Sequence, residues 1–185
     1  MTELKDKIAA RLSSSFATKG FSEPGIDILR RDAGVSLRTL YKYFPSREEM
    51  VSGALEHRHQ SYLQHLAGDD ENGDDILEMF HRLGVWLEGS GNNGCLFLNA
   101  YAAHPENAPL RDLVARHKSA VRKKFLERLR AAAPDRDQSH LRSLADALAI
   151  IHEGQTMTAI VNGPQKATET AVALARVLLT SEGIL

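Results

Sequence analysis

The stretch that most restricts this chain is GIDILRRDAGVSLRTLYKYF, residues 25–44. Ile26, Leu29 and Ala33 recur at helical spacing up to Gly34, and a second run from Ser36 sets Leu40 and Phe44 four residues apart on one face. Glycine adopts the left-handed backbone that ends a helix without steric cost. Val35 is apolar and can plug the angle that follows, and the Ser36 hydroxyl is placed to cap the next helix. Two short helices meeting at a glycine turn are the grammar of a helix-turn-helix.

With Leu40 and Phe44 turned inward, Leu37, Arg38, Thr39, Tyr41, Lys42 and Tyr43 occupy the outer and flanking surfaces of the second helix. Between residues 30 and 47 stand Arg30, Arg31, Arg38, Lys42 and Arg47 against a single acid, Asp32, in a chain whose formal net charge is -1. Positive charge is gathered where a helix entering a DNA groove would need it. The pI of about 6.7 argues against a surface that coats nucleic acid generally. Binding then has to come from a local patch, present in two copies.

The run AGVSLRTLYKYF, followed by PSREEM, resembles the DNA-binding segment of the TetR family of bacterial transcriptional regulators over about residues 4–55. GCLFLNA, residues 94–100, is similar to a segment of some members. Arg30 stands where the family usually has a small alanine, and Arg38 replaces a frequent glycine or proline, adding a side chain for a base or a phosphate. The resemblance implies an all-α fold of about nine helices. Residues 1–47 would form the helix-turn-helix domain and 48–185 a helical ligand-binding and dimerisation domain, with helix four, about 46–66, connecting them. It further implies a ligand-responsive repressor that binds a palindromic operator on double-stranded DNA as a homodimer and is released by a small-molecule inducer.

On this reading Arg38 and Lys42, with Leu37 and Thr39, touch base edges, because arginine can bond a guanine in two places and a methyl can meet thymine. Ser36, Tyr41, Tyr43 and Arg47 bind phosphates, which sets register without reading sequence. For an inducer, Phe80, Trp86, Phe97, Tyr101 and Met157 offer apolar surface, and His81, Asn99, His117, His152 and Gln155 offer polar contacts.

Along the chain, Leu4, Ile8, Leu12 and Phe16 stripe a first helix ending near Lys19 and Gly20, and Phe21 re-enters the small core. Ser46 with Glu49 reads as a capping box opening helix four, whose N-terminal amides, with Arg47, could hold a phosphate. The acidic break Gly68 to Gly73 separates the two functional regions. As a calcium loop it fails, since placing Gly73 at position six puts Gly68 and Met79 where carboxylates belong. Further helices are expected from Asp74 to about Glu88, Cys95 to Ala103, Pro109 to about Ala132, and in two C-terminal runs divided at Asn162-Gly163-Pro164, with a flexible loop from Gly89 to Gly94. The last is apolar nearly all round, which calls for burial on several sides. Pairing the last two helices with their symmetry mates, as in the proteins this chain resembles, would supply it, and would match a two-fold operator.

No apolar run approaches the roughly 18 residues of a membrane span. The N-terminal segment is amphipathic without a signal-peptide core, so the expected location is cytoplasmic, with no membrane partner. One cysteine, Cys95, excludes an intrachain disulfide. Neither metal nor cofactor is implied. Glu78 with His81 lacks the second such pair of a di-iron bundle, and His57 and His59 point to different helix faces, so an enzyme is not expected. The competing reading is a helical dimeric adaptor that binds protein rather than DNA. A face carrying five cations and three hydroxyls argues against it.

Overall fold

The computed structural model describes residues 3–67, 76–89 and 93–185. Among them are nine α-helices and no strand: α1 (Glu3–Lys19), α2 (Ile26–Ala33), α3 (Leu37–Tyr43), α4 (Arg47–Ala67), α5 (Glu78–Gly89), α6 (Leu96–Ala103), α7 (Ala108–Ala132), α8 (Gln138–Asn162) and α9 (Pro164–Ser181). The expected acidic break at 68–73, a helix start at Asp74 and residues 90–92 of the glycine-rich loop lie outside the described residues. Ile76 and Leu77 are buried in a turn ahead of α5. No helix among the described residues is long and apolar enough to cross a membrane.

The chain divides into two compact units, Met1–Tyr62 with Leu96–Arg116 and Leu63–Cys95 with His117–Leu185. In the first, Ile8, Leu12 and Phe16 of α1, Leu29 and Ala33 of α2, and Leu40 and Phe44 at α3 are buried, with α2 packed on both α1 and α3. Leu4, the first residue of the expected stripe, is instead exposed near the helix start. Phe21 stacks on Phe16 with ring centroids 4.9 Å apart, which fixes where the chain turns back after α1. Phe44 lies so close to Gly53 of α4 that a Cβ at residue 53 would overlap its ring.

In the second unit α8 turns Leu141, Leu144, Leu148, His152, Gln155 and Ala159 inward at spacings of three or four residues. α9 buries Ala167, Ala171, Ala175 and Leu179 at every fourth position, and mostly methyl-sized side chains allow close helix approach. Gly84 of α5 does the same against Thr168, because any Cβ there would overlap the threonine hydroxyl. Phe80 and Phe125 meet with centroids 5.4 Å apart. α9 is therefore buried along one stripe within the chain, not all round. Leu174 and Val177 face out, as do Ile150, Met157 and Val161 of α8.

Candidate nucleic-acid interface

α2 ends in a complete Schellman turn. Gly34 takes φ 67 and ψ 33, its N–H donates to the Arg31 carbonyl, and the Val35 N–H donates to that of Arg30 at 3.1 Å. Ser36 then caps α3 by accepting from the Thr39 amide at 3.1 Å, with the two hydroxyls 2.8 Å apart. The expected phosphate ligand Ser36 thus already has its oxygen committed to the cap. Buried Leu40 and Phe44 anchor α3, leaving Arg38 and Lys42 exposed and Leu37 and Tyr41 at 41% and 43% exposure. Thr39 and Tyr43 are half-buried. Among the described residues no carboxylate pairs with Arg38, and Lys42 lies 5.7 Å from the Tyr43 ring centroid.

The other cations of the stretch are used differently. Arg30 bonds Asp27 at 2.8 Å on its own helix, and Arg31 is exposed with its nearest carboxylate, Asp32, at 4.0 Å. Arg47, expected on a phosphate, instead donates from Nη1 to the Pro24 carbonyl at 2.7 Å and from Nη2 to that of Phe21 at 2.5 Å. Its planar fork of donors suits two neighbouring loop carbonyls. The N-terminus of α4 is also not vacant for an anion: Ser46 caps the Glu49 amide at 3.2 Å as expected. The Glu48 carboxylate lies against the same cap. Its own backbone amide, the larger effect, and Ser46 hold that carboxyl below its ordinary value.

The sequence reading missed a polar stripe on α1. Arg11 donates to the Ala33 carbonyl at 2.9 Å, Ser15 to Asp32 at 2.7 Å, and Lys19 pairs with Asp32. Lys19, then Ser15, hold the Asp32 carboxyl below its ordinary value. The four-residue spacing of Arg11, Ser15 and Lys19 beside an apolar stripe was the available signal, since it aims three donors at one neighbour.

The inducer candidates fall into both units. In the second, Gln155 donates to the Phe80 carbonyl at 2.8 Å and to Thr168 at 2.9 Å. His152 packs on Phe80 and Phe125 with centroids 6.3 and 5.8 Å away. Burial, and then Lys118, depress the His152 pKa to about 3, so the ring is neutral. His117 is buried. Trp86 is half-buried beside His65, 5.3 Å between centroids. Met157 and His81 are corrections: both are exposed, Met157 on the same α8 face as Ile150 and Val161. In the first unit Phe97 is buried and Tyr101 half-buried. Asn99 is exposed, because Leu96, Phe97 and Ala100 take the inner face of α6. Cys95 is buried with its sulfur 3.2 Å from the Lys118 ammonium, which also pairs with Glu153.

Residues 9–54 match the family model described as bacterial regulatory proteins, tetR family. A TetR-family transcriptional regulator from Streptomyces coelicolor superposes with a TM-score of 0.83 at 19% identity, covering 98% of this chain and 96% of that one. A TetR transcription regulator from Haloarcula marismortui gives 0.81 at 14% identity, with 98% of both chains covered. Reduced E. coli NemR gives 0.80 at 18%, covering 95% of this chain and 97% of NemR. No curated protein sequence matches the chain. At these identities the structural likeness speaks for the fold.

Proposed function

We propose that this chain, whose residues 9–54 match the tetR family model of bacterial regulatory proteins, is a cytoplasmic transcriptional repressor of that family, binding a palindromic operator as a homodimer and released by a small-molecule inducer. The observation that carries the reading is the outer face of α3. Arg38 and Lys42 stand exposed there beside Leu37 and Tyr41, on a helix whose cap and inner residues are fully committed. Such a face suits a major groove: Arg38 and Lys42 read base edges with Leu37 and Thr39, while Tyr41, Tyr43 and the Ser36 hydroxyl hydrogen fix register on phosphates. Arg47 leaves that set.

The dimer is supported by the outward apolar residues of the last two helices. Ile150, Val161 and Val177 are 73%, 85% and 69% exposed in the single chain, on elements already packed together. An apolar face of this kind suits a partner. A second copy pairing isologously gives the two-fold symmetry of the operator.

The inducer reading draws on Gln155, Phe80 and His152, with Trp86 and His117 of the same unit as further candidates. Both Gln155 amide hydrogens are used, and the Thr168 hydroxyl gives its own hydrogen to the Pro164 carbonyl at 2.8 Å. Exchanging the amide oxygen and nitrogen would set oxygen against oxygen at Phe80, so the buried Gln155 Oε1 is left without a protein donor. With His152 neutral, the surroundings favour an uncharged group presenting an N–H or O–H. Its binding releases DNA by favouring one of two conformations.

Selecting fragments from a random DNA pool with the purified protein tests the reading. A recurring inverted repeat is expected, on which Arg38→Ala costs about 1 to 3 kcal/mol and on random duplex less. Equal loss on both would remove base reading from Arg38, and no enrichment would remove the function.

A further inference from the structure

Arg47 opens α4, yet its guanidinium is turned back onto the loop between α1 and α2. It donates to the Pro24 carbonyl at 2.7 Å and the Phe21 carbonyl at 2.5 Å, bridging 23 and 26 residues of chain. The next carbonyl along, Gly25, receives the first amides of α2, from Ile28 at 3.0 Å and Leu29 at 3.1 Å. The fork therefore grips the segment that launches α2, and α2 carries α3 through the Gly34 turn. On the other side, Phe44 at the end of α3 rests against Gly53 of α4. A planar guanidinium can serve two carbonyls at once, and a lysine ammonium on a flexible stem does not reproduce that fork.

We propose that Arg47 is a positioning residue of the DNA-binding unit: it clasps the first turn of α4 to the α1–α2 loop and so sets the angle at which α3 is presented, rather than neutralising a phosphate. This rests on α3 being the DNA-contacting helix. Since the clasp lies within one compact unit, it makes α2 and α3 follow the start of α4.

The full-length protein, R47K, R47A and K42A are titrated onto a fluorescein-labelled random duplex over a range of salt concentrations, and amide exchange is measured on the free proteins. On random duplex, where no base is read specifically, K42A removes one exposed cation of the α3 face and should flatten the plot of log K against log salt by about one unit. R47K and R47A should both bind several-fold more weakly with the wild-type slope, and the Ile28 and Leu29 amides should exchange faster in both. Wild-type affinity in R47K together with a flattened slope in R47A would overturn the proposal in favour of a phosphate contact. Unchanged exchange at Ile28 and Leu29 in R47K would overturn it independently of DNA. Should R47A not fold, R47K decides. A wild-type protein that ignores the duplex sinks the proposed function, while the exchange arm still judges the clasp.

Discussion

Replacing Gly34 by alanine probes how the turn between α2 and α3 is built. The residue holds φ 67 and ψ 33, where a Cβ costs about 1 to 2 kcal/mol. Restricting the unfolded chain returns about 0.4 to 1 kcal/mol of that. The steric consequence is larger. A Cβ would overlap Nη1 of Arg11 and stand 3.4 Å from its Cζ. The end of a long side chain can swing clear, but it then gives up the 2.9 Å bond to the Ala33 carbonyl. Bonds to charged groups contribute about 1.5 to 3 kcal/mol, and the exposure of Arg11 puts this one at the low end. Gly34→Ala should therefore destabilise by about 2 kcal/mol in total.

The assay is urea denaturation followed by far-UV circular dichroism at one fixed protein concentration, because dimerisation shifts apparent stability. Arg11→Ala and the double variant complete a cycle. Once Arg11 is truncated, alanine at 34 meets no guanidinium and only the backbone part of its cost remains. The double variant should be no less stable than Gly34→Ala alone. Additive losses, or a Gly34→Ala protein within about 0.5 kcal/mol of the parent, would refute this account of the turn.

His152 titrates near 6.5 when unfolded, but burial, with a further effect of Lys118, holds it at about 3 in the fold. The folded pKa is the lower one, so the unfolded state binds the extra proton between these values. Stability is full above 6.5 and falls by about 1.4 kcal/mol per pH unit as the solution is acidified towards 3. His152→Gln should remove that slope, measured by urea midpoints from pH 7 to 4. Val161→Asp, at a position 85% exposed in the single chain, should leave helicity intact and halve the mass seen in sedimentation. An unchanged dimer would move the interface elsewhere.

The helix-turn-helix unit was readable because its determinants are local. A glycine that must be left-handed, a serine one turn before its amide and apolar residues four apart act over six residues or fewer, and Gly34, Ser36, Leu40 and Phe44 behave as those spacings require. The arginines were not readable in the same way. Arg47 could reach a phosphate or a carbonyl, and the carbonyls of Phe21 and Pro24 become its neighbours only once the chain has folded back. In the C-terminal helices the apolar pattern is degenerate: the spacing that makes Phe80 core would also make it a pocket wall. Exposure separates the two uses for Met157 and Asn99, and exposure is a property of packing.

On the proposed function, the fate of the arginines sets the strength of non-specific DNA binding. Of the five cations between residues 30 and 47, Arg30 is held by Asp27 and Arg47 by two carbonyls. Arg31 sits 4.0 Å from Asp32 with most of its side chain in solvent, a pair too weak to withhold it from a phosphate. Arg38 and Lys42 are exposed. Three cations per protomer are then available from this stretch, six in a dimer. Each neutralised phosphate contributes about -0.9 to the slope of log K against log salt, which puts the dimer near about -5 on random duplex. Had all five cations faced DNA, the same reasoning would give about -9. Anisotropy titrations at four or five salt concentrations separate these values, and a slope at the steeper end would mean that Arg30 and Arg47 abandon their protein partners when DNA arrives.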